Sequence, residues 1–200
     1  MPQDISNPGK VKFIDEVDAI DAEAKKLRSE GVNVLIAVGH SGFETDKRIA
    51  RNVPDIDVVV GGHSNTFLYT GDAPSNEEPE GPYPYMVTQP ESKKQVPVVQ
   101  AFAYTKYLGD LQLSFDQNGD LTSHGGNPIL LVQSMPEDQN ILEQLKPYRK
   151  QIDVLSSMVV GHTNIPLEPK RNKDSNLGNL VLDAMVWWVS LLDGNSNRKL

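Results

Sequence analysis

The sequence contains no cysteine. A thiolate nucleophile, a thiolate metal site and a disulfide framework are therefore all excluded within this chain. Basic residues are few. Lys and Arg number 19 against 27 Asp and Glu, and the formal charge is -8. That balance argues against a broad nucleic-acid surface, which needs clustered cations, and leaves room for a small anionic substrate held by metal ions. The opening Met1–Gly9 has neither a basic region nor an apolar core, so it does not read as a signal peptide. Long apolar runs are missing too. The longest, near Leu180–Leu192, is broken by Asp183 and is short of the ~20 residues a bilayer span takes. There is no Asn-x-Ser/Thr sequon, no internal repeat and no low-complexity tract.

What is present suits a soluble globular protein. Hydrophobic residues make up 38% of the 200 and charged residues 23%, enough for one domain, or one domain and a fragment of a second. Val17, Ile20, Ala24 and Leu27 recur at helical spacing within 16–30, with charges between them and Gly31 placed to end the helix. A strand is expected over Val34–Val38, a short helix over Glu44–Arg51 and a second strand over Asp57–Val60. Both strands are apolar on both faces, the pattern of strands covered from both sides in an α/β layered fold. The polar stretch Thr70–Pro84 reads as a surface loop. Further strands are expected over Tyr85–Thr88, Val96–Ala103, Gly109–Asp116 and Leu121–Ser123, with a hairpin turn at Gln117-Asn118-Gly119-Asp120, and Asn127–Leu131 is a further apolar stretch. Ser134 offers an N-cap for a helix from Pro136 to about Leu155, with Ile141, Leu142, Leu145, Tyr148 and Ile152 as its apolar stripe. Val159 and Val160 begin a new segment. A last helix opens near Ser175, with Asp174 and Asn176 as candidate caps.

The two early strands share an unusual ending. Val34-Leu35-Ile36-Ala37-Val38 runs into Gly39-His40-Ser41, and Val58-Val59-Val60 runs into Gly61-Gly62-His63-Ser64-Asn65. Imidazole is a common ligand for first-row divalent metals, and ligands of open α/β sheets gather beyond the carboxyl ends of strands. Glycine beside each histidine permits a sharp turn and a close approach. On spacing alone the pair reads equally well as two metal ligands or as two histidines capping loops. Two nitrogens are also fewer than the three or more ligands of a catalytic ion. His124 and His162 read as solvated surface residues, and Asp46 and Lys47 as solvated first-turn residues of the short helix. The Asn65 amide suits either a bound anion or a turn cap. Arg171, in Lys170-Arg171-Asn172-Lys173-Asp174, suits either a bidentate phosphate clamp or a basic surface loop.

Gly39-His40-Ser41-Gly42-Phe43-Glu44-x-Asp46 and the run from Val58 through Gly61-Gly62-His63-Ser64-Asn65-Thr66-Phe67-Leu68-Tyr69 closely resemble ecto-5′-nucleotidase and the related secreted apyrases. Ser6-Asn7-Pro8-Gly9, Val96-Pro97-Val98-Val99-Gln100-Ala101, Lys106-Tyr107-Leu108-Gly109, Gly126-Asn127-Pro128-Ile129-Leu130-Leu131 and Asn176-x-Gly178-Asn179-Leu180 agree in the same register, from about Ser6 to Met185. The resemblance implies an α/β fold: part of a calcineurin-like metallophosphoesterase sandwich with two β-sheets between helices (1–133), an interdomain linker helix (134–156) and the beginning of a second α/β domain that binds nucleotide (157–200). It implies His40 and His63 as metal ligands, Asn65 as a phosphate contact and Arg171 as an arginine that reaches the phosphate from the second domain.

By the same resemblance the cofactors are two divalent ions, usually zinc. The partner is a nucleotide substrate and not a nucleic acid, the full-length enzyme is open to homodimer formation, and the location is extracellular or at the cell surface. The implied reaction is release of phosphate from nucleoside 5′-monophosphates by a two-metal-activated water. An apyrase-type ATP/ADP hydrolase and a truncated, non-catalytic nucleotide- or partner-binding protein are the alternatives. Several family elements are missing from the chain. These are an Asp-x-His pair, a further Asp, the Asn-His-Asp element with the catalytic His and Asp, and the aromatic pair that stacks the base. Lys170 and Ser175 stand where vertebrate members have cysteines, and Val186–Leu192 leaves the family pattern. The chain is therefore expected to span the middle of such an enzyme, to carry no catalytic residue and to be inactive alone.

Overall fold

The computed structural model describes residues 9–169 and 174–192, in two compact units that divide between Met135 and Pro136. The first unit begins with helix α1 (Glu16–Ser29), whose N-cap is Asp15. The Asp15 carboxylate accepts the Val17 N–H at 2.9 Å, satisfying an orphan donor of the first turn. Strand β1 (Ile36–Val38), helix α2 (Phe43–Asn52) and strand β2 (Val58–Val60) follow. Strands β3 (Tyr85–Thr88) and β4 (Gln95–Val99) complete a four-stranded sheet in the order β1-β2-β4-β3. β1, β2 and β4 run parallel, and β3 runs antiparallel to β4.

Two small antiparallel pairs complete this unit. One joins β5 (Tyr107–Leu108) to β8 (Ile129–Leu130), and the other joins β6 (Gln112–Phe115) to β7 (Leu121–Gly125). The β6–β7 hairpin is closed by the Asp116 carboxylate, which accepts the Asn118 and Asp120 N–H groups at 2.8 and 3.0 Å. Those backbone bonds hold the Asp116 carboxyl below its usual range.

The core lies between the sheet and helices α1 and α2. Phe43, Ile49 and Ala50 of α2 pack with Val59, Val87, Val96 and Val98 of the sheet, and Ala24 of α1 joins the same cluster. The expectation of two strands covered on both sides holds for β2 only. Val58 and Val59 are buried, whereas Ile36 and Val38 of β1 are 57% and 78% exposed. β1 is an edge strand, and no described residue covers its outer side chains.

Several boundaries differ from those expected. The strand from Val96 stops at Val99, because Phe102, Tyr104 and Thr105 adopt positive φ of 61°, 54° and 58°, which no strand accommodates. β5 is a separate short strand that the sequence pattern does not announce. The 70–84 loop is mostly exposed, yet Tyr83 is a core residue. Glu77 ties the loop down through Lys106 and through the Tyr107 hydroxyl, which donates to Oε2 at 3.0 Å.

The Lys106 contact, reinforced by Tyr107, holds the Glu77 carboxyl at about 2, well below its ordinary 4.5. A depressed carboxylate contributes above its unfolded pKa and loses that contribution as pH falls through the folded value. The tether should therefore be complete above about pH 5 and released between about pH 4 and 2. Amide exchange across 70–84 at a series of pH values checks this. Protection unchanged down to pH 2 would contradict it.

Asp57, at 1% exposure, ties the first unit together. Its Oδ2 accepts the Leu35 N–H at 2.7 Å and an Arg28 guanidinium N–H at 2.7 Å, and Lys94 Nζ lies 2.6 Å from Oδ1. Removing one member of a buried charge cluster strands the others. Arg28 and Lys94 keep 25% and 22% of their side-chain surface in solvent, which softens the cost. Asp57→Asn is expected to lower stability by about 2 kcal/mol, read as a shift of the urea midpoint.

The second unit holds helix α3 (Gln139–Ser156) and helix α4 (Asn176–Leu192). α3 is capped by Asp138, which accepts the Asn140 and Ile141 N–H groups, and not by Ser134. Asp138 lies one residue before the first helical turn, where its carboxylate reaches two orphan donors. Ser175 caps α4 in preference to Asp174 or Asn176; its hydroxyl accepts the Gly178 N–H at 3.0 Å. Val159 and Val160 form no strand and are exposed. Among the described residues no helix is long and apolar enough to cross a membrane.

Candidate functional site

β1 and β2 are parallel in the register Val38↔Val60, so the chain leaves both strands at the same end of the sheet. The Gly39 N–H donates to the Val60 carbonyl at 3.0 Å, and the Gly61 N–H donates to the Val99 carbonyl at 2.9 Å. These bonds carry the sheet ladder past the strand ends, and His40 and His63 follow directly. Their rings meet edge to face, with centroids 5.2 Å apart and planes at 77°. Both residues are exposed.

The glycines act at particular points. A Cβ on Gly62 would lie 2.8 Å from His40 Nδ1, and a Cβ on Gly61 would collide with Asp46 Oδ2. The end of β2 therefore passes directly over a carboxylate from α2 and over the imidazole that follows β1. Gly39 has open space around its Cβ position, so close approach does not explain it.

Asp46 is not a solvated first-turn residue. It is 1% exposed and lies on the buried stripe of α2 with Phe43, Ile49 and Ala50. Burial pushes its carboxyl up, against the opposing pull of the Gln100 amide and of nearby His40. Gln100, immediately after β4 and also buried, donates to Asp46 Oδ2 at 2.7 Å and to the Gly62 carbonyl at 3.0 Å. Its Oε1 accepts the Thr66 N–H at 3.1 Å and the Ser64 hydroxyl at 3.2 Å. The Ser64 hydroxyl also accepts the Phe43 N–H at 3.1 Å, which joins the His63 loop to the start of α2.

Two residues of that loop sit in the left-handed region, His63 at φ 70° and Asn65 at φ 55°. Left-handed backbone is uncommon outside glycine and persists where surrounding bonds enforce it. The Asn65 side chain makes no hydrogen bond among the described residues. A cleft of about 320 Å³ opens beside His63, lined by Gly42, Phe43, Thr45, Ser64 and Glu80 among others.

The structure brings together His40 and His63, with Asn65 two residues further along the same loop. Arg171 lies outside the described residues. His124 and His162 are exposed, as expected. Sequence reasoning misses Asp46 and Gln100 as site residues. The one sequence signal is the spacing Phe43-x-x-Asp46-x-x-Ile49-Ala50, which puts Asp46 on the apolar face of its helix. Among the described residues no three His, Cys, Asp or Glu side chains are grouped to hold a metal ion. The two imidazoles fit one side of such a site: both are nitrogen donors, and Gly62 leaves the space that His40 Nδ1 needs.

Over 187 residues the chain is 49% identical to a 5′-nucleotidase of Bos taurus, covering 91% of this chain and 32% of that protein. It is 48% identical to a snake venom 5′-nucleotidase of Macrovipera lebetinus, covering 92% of this chain and 46% of that protein. Over nearly its whole length the chain is homologous to part of these 5′-nucleotidases. A crystal structure of a 5′-nucleotidase precursor from Thermus thermophilus superposes with a TM-score of 0.81 at 34% identity, covering 95% of this chain and 38% of that one. The mixed α/β fold of this 5′-nucleotidase homologue is thus that of the family's metallophosphoesterase-type domains. No family model matches. The chain spans about a third of the length of the bovine relative.

Proposed function

We propose that this 5′-nucleotidase homologue supplies part of the active site of a metal-dependent enzyme that releases phosphate from nucleoside 5′-monophosphates. The observation that carries the reading is the edge-to-face contact of His40 and His63 beyond the ends of two parallel strands. Each would offer a ring nitrogen to a divalent ion. Two divalent ions held there, with zinc as the first choice, would lower the pKa of an attacking water and offset charge on the phosphate. Asn65 offers from the same loop an amide that makes no hydrogen bond among the described residues, and its N–H suits a phosphate oxygen. Arg171 is proposed as a phosphate-binding residue of the longer enzyme on its chemistry alone, because a guanidinium matches a phosphate bidentately. The nucleotide as substrate, the residue roles and an extracellular or cell-surface location all belong to this reading.

Two imidazoles do not complete a catalytic metal site. The 200-residue polypeptide with zinc is therefore expected to release no phosphate from AMP or ADP above the buffer rate. Turnover at ~1 s⁻¹ or faster would overturn the assignment of this chain as one side of a divided site. A longer protein that carries this chain with the remaining ligands is expected to hydrolyse AMP.

A further inference from the structure

We propose that Gln100 is a positioning residue for the His40–His63 pair. The proposal rests on the functional reading above and adds to it a residue that touches neither substrate nor metal. Gln100 uses both ends of its amide. It reaches Asp46, which sits beside His40, and it bonds the backbone on each side of His63, at the Gly62 carbonyl and the Thr66 N–H. One side chain thus bonds the His63 loop on both sides and the α2 carboxylate that lies near His40.

His63 and Asn65 hold a backbone conformation that costs free energy and needs outside bonds to persist. The Gln100 bonds are placed to supply them. Burial matters here, because an amide screened from water gives up little when it bonds inward and strands its partners when removed. Asp46 is the second member of the device. It sets the position of the Gln100 amide nitrogen, and Gly61 leaves room for its carboxylate.

The test is nuclear magnetic resonance of the full chain with labelled histidine, without metal and then with zinc. In the wild-type chain, ring-to-ring NOEs between His40 and His63 are expected. Gln100→Met keeps the volume and removes all four bonds. It is expected to abolish those NOEs while core methyl signals from Val58 and Val98 stay in place, and to weaken zinc binding at least about tenfold. Asp46→Asn keeps an amide oxygen for Gln100 and is expected to preserve the ring contact, which a purely structural loss would not distinguish.

If Gln100→Met does not fold by circular dichroism, Gln100→Glu serves instead. It keeps the acceptor for Thr66, loses both donated bonds and is expected to lose the NOEs. Ring NOEs unchanged in whichever variant folds would overturn the proposal. NOEs lost on substitution, with no zinc response in the wild type, would support the positioning role and overturn the functional reading.

Discussion

His40→Ala or His63→Ala is expected to lower AMP hydrolysis about 10³-fold in a longer protein that carries this chain with the remaining metal ligands. Metal-assisted stabilisation of charge at a phosphoryl group is worth several kcal/mol, and each ~1.4 kcal/mol is a factor of ten in rate. Both rings are exposed, and neither is part of the core. Their removal should therefore leave the fold intact, and a urea midpoint within error of the wild type is expected alongside the lost activity. Because both histidines are assigned to one site, the double substitution should cost little more than either single one. Full additivity in kcat/KM would separate the two residues and contradict the shared site. His124→Ala, in the exposed β7 strand, is the matched control and is expected to change neither quantity.

Gly61→Ala is expected to destabilise the chain by about 3 kcal/mol, although it adds a single methyl group. The added Cβ would collide with both Oδ2 and Cγ of Asp46. The carboxylate has little freedom to yield, since it is buried and bonded to Gln100, and the strand end is held to Val99. Well-packed interiors transmit such an intrusion rather than absorb it. Gly39→Ala, where the added atom meets nothing within 4 Å, is expected to stay within about 0.5 kcal/mol of the wild type. The double variant Gly61→Ala with Asp46→Ala removes both colliding partners and should cost clearly less than the sum of the single changes. Urea unfolding of these variants reads all of the values. A Gly61→Ala variant as stable as Gly39→Ala would show that the close approach is absent.

Much of the first unit was legible because its elements are locally patterned. α1 carries its apolar residues at helical spacing and a glycine after its end. The two Val-rich strands stop at glycine-histidine, and the Asn118-Gly119 turn marks the β6–β7 hairpin. The convergence of the two histidines is legible for the same reason, since similar endings of neighbouring parallel strands arrive at one end of a sheet, whereas their role is not. What lay hidden was non-local. Asp46 looks like a solvated first-turn acid until Gln100, far along the chain, provides its buried partner. The exposure of Ile36 and Val38 likewise depends on what covers β1, which an apolar run does not encode. Sequence does not single out the cap of α3, because Ser134 and Asp138 both offer oxygens and only the backbone decides which one meets the free N–H groups.

The most direct measurement of the central claim is a zinc titration of this chain followed through the side-chain nitrogen signals of all four histidines. If His40 and His63 are ligands of one centre, their signals shift together along a single saturation curve, His124 and His162 stay put, and replacing either His40 or His63 by alanine removes the response of the other. Independent curves for His40 and His63, or an equal response from all four histidines, would contradict the claim that the two strand ends build one side of a metal site.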